Sequence, residues 1–326
     1  MSEPIYDVIA VGNAIVDVMA PSDEAQVAAL GMARGAMTLI DANRAEELYA
    51  AMGPAREVSG GSAANTLAGL AALGASCAFI GQVADDQFGR VFAHDIRSGG
   101  IAFETRAREG DPPTALCLIF VTPDGQRTMN TYLGASQFLP AEALDEAQIA
   151  AARVLYLEGY LWDPEQPRAA MRRAIAAARN AGREVAFTLS DAFVIARHGD
   201  DFRALIEAGE IDVLFANEHE LAALTGLDDF EAGIASLAPK VPTLVVTRSE
   251  KGAVAVERGE RAEVAAEPAQ VVDTTGAGDL FAAGFLYGHV RGKGLAERLK
   301  LGAICAGEII SHYGARPEAD LKALVR

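Results

Sequence analysis

Short apolar runs at 5–11, 77–80, 154–157, 185–189, 213–215 and 244–247 alternate along the chain with longer, alanine-rich amphipathic stretches. The runs predict buried strands. The stretches at 63–73, 88–98, 167–181, 202–208, 218–224, 277–290 and 295–311 predict helices. Such alternation implies a mainly parallel central sheet with helices on both faces, a three-layer α/β/α arrangement.

Two stretches interrupt the pattern, one at 14–40 and one at 101–132, the second holding two strand-like runs joined across Pro123-Asp124-Gly125-Gln126. Together they predict a small β flap or lid. A further hairpin is expected over 252–264, where strand-like residues flank Arg258-Gly259-Glu260. With no repeat, linker or low-complexity segment, residues 1–326 are expected to form one domain carrying lid segments within 14–40 and 101–132.

Composition narrows the function. Apolar residues make up 51% of the 326, enough for a large core, yet every apolar run is broken by glycine or charge before membrane-spanning length. No membrane contact is expected. The start of the chain, Met1-Ser2-Glu3-Pro4-Ile5-Tyr6-Asp7, is acidic where a leader would be basic, which predicts a cytoplasmic protein. Cys77, Cys117 and Cys305 lie too far apart for a metal site or a disulfide framework and are expected as small core residues. A net charge of −17 repels a polyanion, so nucleic acid is excluded as a partner. An anionic nucleotide is still admissible where backbone N–H groups, Mg²⁺ and a few basic side chains hold its phosphates.

The strongest chemical signal is Asp273-Thr274-Thr275-Gly276-Ala277-Gly278-Asp279, followed by the apolar helix that begins at 277. Two glycines around one small residue let backbone N–H groups converge on a negative charge, and the helix dipole reinforces them. Asp279 would sit in the first helical turn, placed to accept a proton from an attacking hydroxyl. Taken alone, the same residues also fit a glycine-rich loop with an ordinary N-terminal carboxylate.

This heptad resembles the signature of the ribokinase-like (pfkB-type) carbohydrate and nucleoside kinases, and the resemblance extends over almost the whole chain. It implies the ribokinase-like fold, ATP and Mg²⁺ as cofactors, and a sugar or nucleoside hydroxymethyl group as phosphoryl acceptor. Asp279 would be the catalytic base and Gly276, Ala277 and Gly278 the anion hole.

Other segments match the same family in order. Asn217 and Glu220 follow a strand and would hold Mg²⁺ through water; alone, they also fit a helix cap with a capping-box glutamate. Thr247, Lys251 and Gly252 resemble the family's nucleotide-binding turn, with Ser249 where many sugar kinases have glycine. Asn13 and Asp17, with Gly60, Gly61 and Asn65, resemble its acceptor-binding segments: a carboxylate takes vicinal hydroxyls, and paired glycines let backbone approach a ring. Arg127, just past the turn of the predicted flap, resembles an arginine that in adenosine kinase-like members reaches the transferring phosphoryl group. Read by itself it is an exposed strand arginine.

The segments 12–17, 60–62 and 187–193 look more like adenosine kinase than ribokinase, so the 5′-hydroxyl of adenosine is the expected acceptor. Pro112-Pro113-Thr114 departs from the family, in which many members carry a glycine there. A sugar kinase acting on ribose, fructose or 2-keto-3-deoxygluconate is the alternative, and a non-catalytic ligand sensor is a rival of another class. Dependence on a monovalent cation stays open, as does the choice between a monomer and a homodimer joined through the lid.

Overall fold

The computed structural model describes residues 4–326; Met1-Ser2-Glu3, part of the segment read as lacking a leader, lie outside the described residues. Its strands in chain order are β1 (Tyr6–Val11), β2 (Ile15–Pro21), β3 (Met37–Leu39), β4 (Arg56–Gly60), β5 (Cys77–Ile80), β6 (Ile101–Phe103), β7 (Ala115–Val121), β8 (Arg127–Tyr132), β9 (Ala152–Glu158), β10 (Glu184–Thr188), β11 (Val213–Asn217), β12 (Thr243–Thr247), β13 (Ala253–Glu257) and β14 (Glu260–Val264). Nine of them form a sheet in the order β14-β13-β12-β11-β10-β9-β1-β5-β6. From β12 to β6 every pairing is parallel, while β13 and β14 add the expected antiparallel hairpin at one edge.

Side-chain alternation along β1 explains why both faces are covered. Val8 and Ala10 enter one apolar core, and Ile9 and Val11 enter the other. On the first face the helix Ala277–Val290 packs between the helices Ser62–Leu73 and Leu295–Ile309. Close approach is possible because Gly284 abuts the backbone of Leu301 and Gly69 abuts Leu280 and Ala283. Cys77, Cys117 and Cys305 are buried and unpaired. Among the described residues no helix is long and apolar enough to cross a membrane.

The second sheet has the order β3-β8-β7-β2-β4. Its make-up corrects the sequence reading in two places. Residues 101–103 are not part of it: as β6 they pair in parallel with β5 at the edge of the larger sheet. β4, which lies outside both stretches expected to form the flap, pairs with β2 and belongs to the second sheet. Elsewhere, the helix expected from 202 begins at Ala192, where the Asp191 carboxylate accepts from the Phe193 N–H and caps it.

Candidate active site

Between the two sheets lies a cleft of about 530 Å³, bounded below by the C-terminal ends of β9, β11 and β12 and by the start of the helix Ala277–Val290. Strand ends expose carbonyls and helix starts expose N–H groups, so in open parallel sheets this edge is the place where polar ligands are bound.

That helix is preceded by Gly276 at its N-cap, which has a φ of +78°, and no side chain caps the first turn. The Ala277 N–H donates to the Thr274 carbonyl at 3.2 Å, so of the expected anion hole it is the N–H groups of Gly276 and Gly278, with that of Asp279, that form an array suited to an anion, and Gly276, Ala277 and Gly278 all line the cleft. Asp279 stands in the same turn. Its Oδ1 accepts from Ser62 Oγ at 2.6 Å and its Oδ2 from Asn65 Nδ2 at 3.0 Å. Burial raises its pKa above the usual carboxylate range, against the two hydrogen bonds and the charge of Arg316, which act to keep it ionised. A carboxylate so placed is a stronger proton acceptor than one in water.

The candidate acceptor residues converge on Asp279 from β2 and the glycine pair. Gly61 is required: at φ +97° a Cβ would lie 2.2 Å from the carbonyl oxygen of Asn13. Gly60 presses as closely on the Asp17 side chain. Asp17 is pushed up to about 6, chiefly by burial, with Arg316 and Arg127 opposing and Asp279 adding to the rise. Asn13 donates from its backbone N and its Nδ2 to Glu158 Oε1, at 2.8 and 2.6 Å, while Ala63 N donates to Glu158 Oε2 at 2.7 Å. Glu158 thus ties the end of β1 to the start of the helix Ser62–Leu73. Burial lifts it to about 7.

Two expected residues are engaged otherwise than the sequence suggested. The Asn65 amide points to Asp279 and to Arg316, whose Nη1 donates to Oδ1 at 2.6 Å, and so is committed to protein groups. Arg127 lies on the same face of β8 as Met129 and Thr131, which line the cleft, but its guanidinium turns away to Asp273, with Nη1 2.8 Å from Oδ2. It is buried, not an exposed flap arginine. Asp273 also accepts from the N–H groups of Thr275 and Gly314, so a cation is held where the glycine-rich loop carries a buried negative charge.

On the opposite side, Asn217 and Glu220 line the cleft and form a full capping box: Asn217 Oδ1 accepts from Glu220 N, and Glu220 accepts from Asn217 N and Nδ2. Burial, with Asp191 nearby, raises Glu220 to about 7. Thr247 reaches the cleft at the end of β12. Lys251 does not, lying 3.5 Å from Glu218 in a separate surface depression. Gly252 sits in the turn before β13, where a Cβ would meet the Val264 carbonyl at 1.9 Å, and Ser249 takes a left-handed φ of +49°, the conformation a glycine adopts freely. No group of three or more His, Cys, Asp or Glu is arranged to hold a metal among the described residues. The hard oxygens of Glu220 and Asn217 nevertheless suit Mg²⁺, which takes few protein ligands and fills its octahedron with water and phosphate oxygens.

Glu158 and Arg316 escaped the sequence reading. For Glu158 a signal existed, a carboxylate directly after a buried strand. For Arg316 there was none, since its stretch shows no periodicity.

Residues 25–321 match the family described as pfkB family carbohydrate kinase. The chain is 49% identical to adenosine kinase from Sinorhizobium meliloti, with a TM-score of 0.90 and 98% of each chain covered. It is 46% identical to a probable sugar kinase protein from Rhizobium etli CFN 42, with a TM-score of 0.91 over 98% of this chain and 97% of that one. A fructokinase from Klebsiella pneumoniae is 32% identical over 70% of this chain and 76% of its own length.

Proposed function

The chain belongs to the pfkB family of carbohydrate kinases and is a phosphotransferase with an alcohol group as acceptor, and we propose that this acceptor is adenosine or a close purine nucleoside, phosphorylated at its 5′-hydroxyl. The observation that carries this reading is the apolar wall around Asp17: Ile15, Cys117, Ile119, Met129 and Leu133 of the second sheet and its flank face the cleft, joined from the edge strand by Met37 and Leu39. A free sugar offers hydroxyls on every side and gains little from such a wall. A purine ring buries a face against it, while the ribose hydroxyls reach Asp17. The likeness to the Sinorhizobium meliloti adenosine kinase supports the same acceptor.

In this mechanism the second sheet is the lid of a single domain, and it excludes water from the transferring group. ATP lies toward Asn217, Glu220 and Thr247. The acceptor oxygen forms a bond to the γ-phosphorus as the bond to the β,γ-bridging oxygen breaks, ADP leaves, and Asp279 takes the hydroxyl proton. The N–H groups of Gly276 and Gly278 stabilise charge on the transferring group, with Ala277 as the small residue that lets them converge. A magnesium ion held near Glu220 and Asn217 through water would offset phosphate charge when nucleotide is bound. Because the reaction draws on ATP, the proposed location is the cytoplasm.

Fructose is the second reading, favoured by the fructokinases among the sequence relatives. Specificity constants for adenosine, ribose, fructose and 2-keto-3-deoxygluconate, measured under one ATP and magnesium condition, decide between them. Adenosine is expected to lead by about tenfold or more, the return on burying one base. A sugar that outperforms it overturns the nucleoside assignment, and ligand binding without ADP release would mark a sensor.

A further inference from the structure

We infer that Arg316, in the C-terminal loop, is a positioning residue for the proton acceptor: it orients the Asn65 amide so that the NH₂ group faces Asp279 and keeps that carboxylate ionised. The inference rests on the reading of Asp279 as base. It assigns a role to a residue that reaches Asp279 through Asn65 rather than by direct contact.

The geometry leaves one orientation for the amide. A guanidinium only donates and a carboxylate only accepts, so an Asn side chain caught between them has its oxygen toward the first and its nitrogen toward the second. That is the arrangement here, with Arg316 Nη1 at 2.6 Å from Asn65 Oδ1 and Asn65 Nδ2 at 3.0 Å from Asp279 Oδ2. Flipping the amide would set donor against donor and oxygen against oxygen. Arg316 is itself anchored, because Nη2 donates to the Ser59 carbonyl oxygen and, at 2.9 Å, to Ser59 Oγ. Ser59 in turn donates from N and Oγ to Asp95 Oδ2 at 2.7 and 2.6 Å, so the relay is fastened to the helix Gln87–Ser98.

Charges around Asp279 show why such a relay is needed. Asp17 faces it from β2, Glu158 and Tyr156 from β9, and Tyr160 from the turn that follows, and each of these adds no positive charge. The cation acting on Asp279 is Arg316. Arg127, which also acts on Asp17, is paired with Asp273. Without Arg316, burial and the neighbouring carboxylates would favour the protonated, catalytically silent form of Asp279.

The test is the pH profile of kcat at saturating ATP, magnesium and the best acceptor, for the full chain and for Arg316→Met, Arg316→Lys, Asn65→Leu and Asp279→Asn. Turnover needs ionised Asp279, so its loss on acidification reports that group in the complex. In Arg316→Met the acid limb is expected to move up by roughly one pH unit or more, the size of a lost neighbouring charge. Arg316→Lys should recover part of the shift, and Asn65→Leu should move the limb in the same direction. A purely structural role would lower kcat at all pH values and leave the limb in place. Loss of turnover in Asp279→Asn together with an unmoved limb in Arg316→Met overturns the inference alone. Should Arg316→Met fail to fold, an unmoved limb in folded Asn65→Leu has the same force. Near-wild-type turnover in Asp279→Asn overturns the base assignment and the inference with it.

Discussion

The floor of the cleft is built from strand ends and helix starts whose polar groups bond one another: Ser62 and Asn65 to Asp279, Asn13 and the Ala63 backbone N–H to Glu158, Asn217 to Glu220. Above it, the second sheet presents mostly apolar side chains, which form a small cluster of Ile15, Ala115, Cys117 and Ile119. The floor rests on the two large cores, which fix its groups closely enough for hydrogen-bonded chemistry. The cover needs only shape and apolar surface, which tolerate movement. This division teaches that turnover should be decided on the floor and acceptor choice on the cover.

Asp279→Asn puts the first half of that statement to its hardest test. The amide keeps the volume but cannot take a proton, so kcat should fall by about 10²- to 10⁴-fold with nucleotide binding retained. Steady-state kinetics and nucleotide titration of the purified variant check this, and turnover near wild type would return the chemistry to some other group.

A smaller, selective effect is expected on the cover. Met37 and Leu39 are 39% and 50% exposed, so replacing both with Ser should leave the fold intact. Adenosine would lose roughly tenfold in kcat/KM through lost apolar contact, and fructose little. Equal losses for both acceptors would show that the two walls do not divide the work.

The smallest effect joins the two walls, because buried carboxylates of both respond to pH together. Asp17, Glu158 and Glu220 stand at about 6, 7 and 7, above their ordinary values of 3.8, 4.5 and 4.5, so the folded chain binds these protons more tightly than the unfolded one. The stability they contribute is complete below the ordinary carboxylate range and is lost as pH rises through about 6 to 7. Tm of the ligand-free protein should therefore fall by a few degrees between about pH 5 and 8, and Glu158→Gln should flatten part of the slope. Scanning calorimetry across that range would expose a flat profile if the carboxylates were unperturbed.

Periodicity alone determined the layered arrangement and the mainly parallel character of the larger sheet, because a buried parallel strand must be apolar on both faces and its crossover helix on one. The heptad at 273–279 likewise marked a helix start, which the structure sets in the cleft, since the glycines and small residue that shape such a start are consecutive. What adjoins that heptad was settled only by the tertiary structure. β4 is too polar to read as a strand, and 101–103 carry no sign of which sheet they join, so the composition of the second sheet was hidden. Arg127 could be placed past a turn, but its partner Asp273 lies 146 residues along the chain (273 − 127), and no local pattern encodes such a pairing. Arg316 is the extreme case. It meets Asn65 across 251 positions and Ser59 across 257, and its bearing on Asp279 exists only because folding brings three distant segments to one point.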